Sequence, residues 1–211
     1  MPHDTSTNYG VAQTGERVVL DGTKTILLVG VGGQGTILAG QLLAMVAADA
    51  GLDVKVSEIH GMSQRGGSVS TIIRVGEHVE SMVADPGCAD VVVSFEAVEA
   101  LRAQHMLKAG GKMFVNDEQI VPVSVHSGGF TMPTDVRERL EAIGAVLVPA
   151  GQIAREAGSP RSTNVVLVGA LSTALPFSVD GWRDAIAKRV PARTVEANLA
   201  AFERGREAAG A

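Results

Sequence analysis

Gly30, Gly32 and Gly35 stand in G-x-G-x-x-G spacing directly after the apolar run Ile26-Leu27-Leu28-Val29. At the end of a buried strand, that spacing supplies a tight turn, a point of close backbone approach to a phosphate, and a close strand–helix contact. Gly33, Gln34 and Thr36 complete the turn, and the free amides at the start of the next helix would face an anion. A second glycine-rich loop follows, His60-Gly61-Met62-Ser63-Gln64-Arg65-Gly66-Gly67. Its glycines let the backbone approach another surface, while Ser63, Gln64 and Arg65 put a hydroxyl, an amide and a guanidinium at its tip. Arginine is the planar, two-pronged donor suited to phosphate or carboxylate. Two such loops after adjacent strands would lie at the C-terminal edge of the sheet, where open α/β sheets bind ligands. Alternatively, Arg65 pairs with Glu58 or Asp85 and the loop is only a tight corner.

Three well-known chemistries share parts of these loops. A triphosphate-binding P-loop needs a lysine where Thr36 stands, and without it the terminal phosphates lose their main side-chain partner. A dinucleotide dehydrogenase needs an acid at the end of the second strand. Glu58 is either that ribose-binding acid or a strand-end carboxylate anchoring the adjacent loop. A hydrolase elbow, G-x-S-x-G, begins at Gly61-Met62-Ser63-Gln64, but Arg65 replaces its last glycine and no base is visible for Ser63. His60 is either a base or a strand-end histidine bonded to backbone. His3, His78, His105 and His126 show no metal-ligand spacing. Cys88 reads as a loop or small core residue. Asn116 either faces the loop edge or caps the turn after its strand, and Asn164 reads as a helix N-cap.

The elements needed to position these groups follow from apolar periodicity. A strand is expected over Thr25–Val29, then a largely buried helix from Gln34 to Ala50 and a half-buried strand over Asp53–Ile59. Ser68–Val75 and His78–Met82 flank Gly76-Glu77 as a hairpin. Asp90–Phe95 reads as a strand, Glu96–Lys108 as a helix ended by Gly110-Gly111, and Lys112–Asn116 as a further strand. A helix over Thr134–Ile143 precedes a last strand, Ala145–Val148. Beyond it the chain reads as helical, with Asn164–Leu175 apolar all round and Pro191–Arg206 amphipathic. The expected fold is a Rossmann-like open α/β sheet, mostly parallel with a hairpin. It has helices on both faces and a helical C-terminal segment. Residues 1–22 read as a mobile tail and 23–211 as a single domain.

Composition narrows the function classes. Of 211 residues, 45% are hydrophobic and only 3% aromatic, so the core must be aliphatic. The net charge of −5 is interspersed, without the basic stripe or aromatic platform that nucleic acid requires. No apolar run reaches the ~18–20 residues needed to span a membrane, and the polar start lacks the layout of a secretory signal. The single cysteine permits no internal disulfide and no self-sufficient iron–sulfur cluster. A cytoplasmic location is expected.

Gly30-Val31-Gly32-Gly33-Gln34-Gly35, the string from Val56 through Ser57-Glu58-Ile59-His60-Gly61-Met62-Ser63-Gln64-Arg65-Gly66-Gly67 to Val69, and Ala89-Asp90-Val91 resemble the γ-type subunits of 2-oxoacid:ferredoxin oxidoreductases. Within that family the likeness is to the small subunits of the indolepyruvate branch, close over about Thr25–Val121 and loose beyond. The resemblance implies oxidative decarboxylation of an aryl 2-oxoacid with coenzyme A to acyl-CoA, CO2 and reduced ferredoxin or another electron acceptor. It also implies a large partner subunit carrying thiamine diphosphate, magnesium and iron–sulfur clusters, none of them bound by this chain alone. The lone cysteine and the lack of a Gly-Asp-Gly segment followed by asparagine agree with that division. On this reading Gly30–Thr36 and Ser63–Gly67 hold the coenzyme A diphosphate, with Arg65 as the clamp. Two rivals are an NAD(P)-binding oxidoreductase using Glu58 and a purely structural partner subunit.

Overall fold

The computed structural model describes residues 18–61, 67–121, 125, 128–129 and 131–211. Met1–Gly15, His3, His126 and the loop residues Met62, Ser63, Gln64, Arg65 and Gly66 lie outside the described residues. A six-stranded sheet is built from β1 (Lys24–Val31), β2 (Asp53–His60), β3 (Ser68–Gly76), β4 (Ala89–Ser94), β5 (Leu107–Asn116) and β6 (Val146–Val148) in the order β2-β3-β1-β4-β5-β6. Only β3 runs against the others: β1, β4, β5 and β6 pair in parallel, while β3 is antiparallel to both β1 and β2.

The alternation of β1 explains its unbroken apolar run. Ile26 and Leu28 join one core, and Leu27 and Val29 join another on the opposite face. The first core is covered by α1 (Thr36–Asp49), α4 (Ala150–Glu156), α5 (Thr163–Ser172), α6 (Val179–Arg189) and α7 (Val195–Ala208), the second by α2 (Ala97–Ala103) and α3 (Val136–Ala142). The expected open α/β sheet with helices on both faces is thus found. No helix among the described residues is long and apolar enough to cross a membrane. Leu20, read from sequence as part of the tail, is 9% exposed and belongs to the first core.

Three expectations need correction. The hairpin is β2–β3, not Ser68–Val75 with His78–Met82. β3 already has β2 on one side and β1 on the other, so no edge remains for a further strand. The segment after β3 is instead pinned by side chains: Asp53 accepts the Val79 amide at 2.8 Å, Lys55 donates to the Val79 carbonyl, and Arg74 donates to the Ser81 carbonyl at 2.7 Å. The helix expected to run to Lys108 stops at Ala103, and β5 starts at Leu107. Gly110-Gly111 does not end a helix but absorbs a register shift between the pairs Ala89↔Leu107 and Val91↔Lys112. Asn164 is not the N-cap of α5; Ser162 holds that position.

Helices α5 and α7 cross with their backbones almost touching. A Cβ on Gly205 would overlap the Val166 carbonyl oxygen, and one on Gly169 would overlap that of Phe202. Because both obstacles are backbone, the helices must separate to admit a methyl group. Gly205→Ala is therefore expected to cost ~3 kcal/mol, the upper range for overpacking, read as a lower denaturation midpoint. A loss below ~0.5 kcal/mol, the range of ordinary surface changes, would mean that the crossing is not closely packed.

Candidate functional site

Register brings the two glycine loops together. The last residue of β1, Val31, pairs with Ser68 at the start of β3, and the last residue of β2, His60, pairs with Val69. The chain therefore leaves β1 and β2, and enters β3, at the same edge of the sheet. The Gly32 amide donates to the Gly67 carbonyl at 2.8 Å, tying one loop to the other. Ser68 donates to Glu99 at 2.6 Å, which fastens the exit of the second loop to α2.

Gln34 holds the first turn in shape. Its Oε1 accepts the Val31 amide at 2.7 Å, and its Nε2 donates to the Phe95 carbonyl at 2.9 Å. Gly30 must lack a side chain, since a Cβ there would lie 2.7 Å from Gln34 Oε1 and 2.8 Å from Phe95 Cβ. Gly33 and Gly35 take left-handed conformations, φ 102° and 84°. Asn164, one residue inside α5, reaches across to donate to the Gly35 carbonyl at 3.4 Å. Asn116 also faces this edge: its Nδ2 donates to the Phe95 carbonyl and to Glu118, and its Oδ1 accepts the Ala150 amide. The first turn is thus held from within by Gln34 and from α5 by Asn164.

The fate of the turn's amides separates two roles. Those of Gly32 and Gln34 are spent inside the fold, on the Gly67 and Val31 carbonyls. Those of Gly33, Gly35 and Thr36 donate to no described residue. They stand at the N-terminus of α1, a helix with no acidic residue in its first turn. Beside them opens a cavity of about 460 Å³, lined by Gly32, Gly33, Gly35 and Thr36 on the turn side. Its other walls are Ile37, Val69 and the β2 residues Glu58 and His60. Of the residues proposed from sequence, the structure therefore gathers Gly32, Gly33, Gly35 and Thr36 around one cavity. It uses Gly30 and Gln34 as internal supports and places Gly67 at the joint.

Glu58 makes no hydrogen bond or ion pair with any described residue, so through none of them does it anchor the loop. His60 is exposed, with Nδ1 3.2 Å from the Gly61 carbonyl oxygen, which matches the backbone-bonded alternative. No group of three or more metal-ligating side chains occurs among the described residues. Sequence reasoning missed Glu96, 2% exposed at the end of β4. Its carboxylate caps α2 through the Glu99 amide at 2.8 Å and accepts the Ile120 amide at 3.1 Å. The signal was available: an acid three residues before another acid at a strand-to-helix junction is a capping pattern.

The chain is similar to known proteins over most of its length. The family model described as pyruvate ferredoxin/flavodoxin oxidoreductase matches residues 25–208. The chain is 44% identical over 191 residues to the indolepyruvate oxidoreductase subunit IorB of Thermococcus kodakarensis, covering 87% of this chain and 95% of that one. It is 37% identical over 186 residues to the subunit of the same name from Archaeoglobus fulgidus, covering 85% and 92%. Among solved structures, it resembles a 2-oxoglutarate:ferredoxin oxidoreductase from Magnetococcus marinus with 2-oxoglutarate, coenzyme A and succinyl-CoA bound. There the TM-score is 0.66 and the identity 25%, covering 89% of this chain and 31% of that chain. The γ subunit of a keto/oxoacid ferredoxin oxidoreductase from Geobacter sulfurreducens shares the fold at 24% identity and TM-score 0.65, covering 88% and 98%.

The buried carboxylate at this edge sets a pH dependence. Burial raises the Glu96 pKa above its ordinary value, the amides of Glu99 and Ile120 oppose that rise, and the nearby Glu99 charge adds to it. A carboxyl whose folded pKa is raised stabilises the fold most below its free-chain value, about pH 4, and loses that contribution as pH rises through the folded value. The unfolding free energy of the wild type relative to Glu96→Gln should therefore fall as pH rises above about 4. A difference that stays constant or grows with pH would show that Glu96 is not destabilised in its charged form.

Proposed function

From the premise that the chain belongs to the pyruvate ferredoxin/flavodoxin oxidoreductase family, we propose that it is the small subunit of an indolepyruvate, or arylpyruvate, ferredoxin oxidoreductase. Its relatives of 37–44% identity are named indolepyruvate oxidoreductase subunits and match it over nearly their full length. The assembled enzyme converts an aryl 2-oxoacid and coenzyme A to acyl-CoA and CO2 and passes the electrons to ferredoxin. We take residues 23–211 as one α/β domain carrying this work, with Leu20 packed onto it, and place it in the cytoplasm.

The division of labour follows from the donor set. A chain with one cysteine cannot ligate an iron–sulfur cluster by itself, and the family likeness assigns the clusters, thiamine diphosphate and magnesium to a large partner subunit. Those groups supply the decarboxylation and electron transfer. This chain supplies binding and orientation of the co-substrate. The observation that supports the assignment is a cavity of about 460 Å³ lined by Gly33, Gly35 and Thr36, whose amides donate to no described residue, beside the Gly32–Gly67 joint. We assign the coenzyme A diphosphate to Gly33, Gly35 and Thr36, with Gly30, Gly32 and Gln34 shaping the turn. In the second loop, Ser63 and Gln64 serve as neutral donors, Gly66 and Gly67 allow close approach, and Arg65 is the counter-charge.

Amide donors fixed by the fold need no reorganisation when an anion arrives, so their binding energy goes into positioning the thiol for transfer. Arg65→Ala in the assembled enzyme should raise KM for coenzyme A by about tenfold, the worth of one charge-assisted contact. It should leave KM for the 2-oxoacid unchanged. An unaltered KM for coenzyme A would remove Arg65 from the site.

A further inference from the structure

Two buried asparagines grip the ends of the glycine turn, and neither lines the cavity beside it. At the exit, the Gly35 carbonyl oxygen accepts two donors: the Ala39 amide at 3.2 Å, the first rung of α1, and Asn164 Nδ2 at 3.4 Å. Asn164 is 7% exposed, and its Oδ1 takes the Val165 amide at 3.0 Å. At the entry, the Phe95 carbonyl oxygen likewise accepts two donors, Gln34 Nε2 and Asn116 Nδ2. Asn116 is 1% exposed and closes β5, two strands away from β1. Its remaining N–H goes to Glu118 Oε2 at 3.0 Å, and its Oδ1 takes the Ala150 amide.

An apolar side chain of similar size would fill either place without the cost of burying an amide. What only the amide supplies is a donor aimed at one chosen carbonyl. A peptide unit is planar, so the Gly35 C=O and the Thr36 N–H lie in one plane and point in opposite directions. Fixing that oxygen with Asn164 therefore fixes the direction of the Thr36 amide. Asn116 acts one step further off. By holding the Phe95 oxygen it sets where Gln34 Nε2 must end, while Gln34 Oε1 holds the Val31 amide at 2.7 Å. Gly33 and Gly35, at φ 102° and 84°, have no side chain to resist rotation, so restraint has to come from elsewhere in the fold.

Resting on the reading of this turn as the coenzyme A site, we infer that Asn116 and Asn164 are positioning residues for the coenzyme. They lie outside the cavity and keep the backbone donors of the turn aimed before the ligand arrives, so that binding needs no reorganisation. The 2-oxoacid, whose chemistry belongs to the partner subunit on that reading, is indifferent to them.

Steady-state kinetics on the assembled enzyme test this, with KM measured separately for coenzyme A and the 2-oxoacid. Asn164→Ala should raise KM for coenzyme A by about fivefold, the worth of one hydrogen bond, and leave KM for the 2-oxoacid unchanged. Asn116→Asp keeps the acceptor for Ala150 and alters only the donor. Protonated, its carboxyl still donates to Phe95; ionised, it faces the Phe95 oxygen and Glu118 with no proton to give. The charged groups around it among the described residues are Glu118, Glu96 next to Phe95, and Arg155, which flanks Gly151 together with Glu118. Burial and the two carboxylates raise its pKa against the pull of Arg155. KM for coenzyme A in Asn116→Asp should therefore stay near the wild-type value at about pH 6 and rise about tenfold toward about pH 8. Should Asn116→Asp fail to assemble, Asn164→Ala decides by itself.

Gly33→Ala serves as the control for the site, because its Cβ meets nothing within 4 Å yet the positive φ strains the turn. If Gly33→Ala leaves KM for coenzyme A unchanged, the turn is not the coenzyme site and the reading beneath the inference falls. If Gly33→Ala raises it and both asparagine variants keep the wild-type value, the inference alone falls. It falls too if the asparagine variants raise both KM values equally, or if Asn116→Asp is displaced by the same factor at every pH, since a side chain that only fills space would do that.

Discussion

The carbonyl oxygen of Phe95 accepts hydrogen bonds from two side-chain amides, Gln34 at 2.9 Å and Asn116 at 3.2 Å. Those residues follow β1 and close β5, while Phe95 itself follows β4, between them in the sheet. Three neighbouring strand ends are thereby fixed on one acceptor in a buried setting, where losing either donor would leave polar atoms unsatisfied. The same Gln34 holds the Val31 amide, and the turn it shapes is tied to the next loop through Gly32 and Gly67. Everything proposed for ligand binding depends on this joint, because amides bind an anion well only when the backbone cannot turn away.

On the proposed reading, phosphate is bound through backbone amides at a helix start rather than through a lysine in the turn. Among the described residues the cavity carries one carboxylate and no permanent cation. It also leaves room for a positive group from Arg65 to tune affinity without being the sole source of it.

Much of this was readable from residue types. The apolar run before Gly30, the glycine spacing and the period of β2 pointed to one sheet edge, where the registers of β1–β3 and β2–β3 put the ends of β1 and β2 and the start of β3. What escaped the sequence were choices made by distant partners. The true hairpin could not be distinguished from a later one without knowing that β1 occupies the other side of β3. The start of β5 was hidden by Gly110-Gly111, because a glycine pair marks a helix end and a strand bulge equally well. Asn164 looked like a cap because its contact with Gly35 spans 129 residues of chain. The internal service of Gln34 was likewise invisible, since its partner Phe95 lies 61 residues away.

Strand β2 ends the sheet on one side, and Ile59 there is 60% exposed. An outermost strand with free backbone donors and acceptors is a template for another strand, and an outward isoleucine makes it adhesive. Lys55 is engaged with Asp53 and the Val79 carbonyl near the beginning of this rim, so the exposed Glu58 carboxylate is the charge that stands beside Ile59 among the described residues. A preparation of the polypeptide by itself will therefore tend to oligomerise along this rim, and co-expression with whatever covers it becomes a condition for keeping it monodisperse.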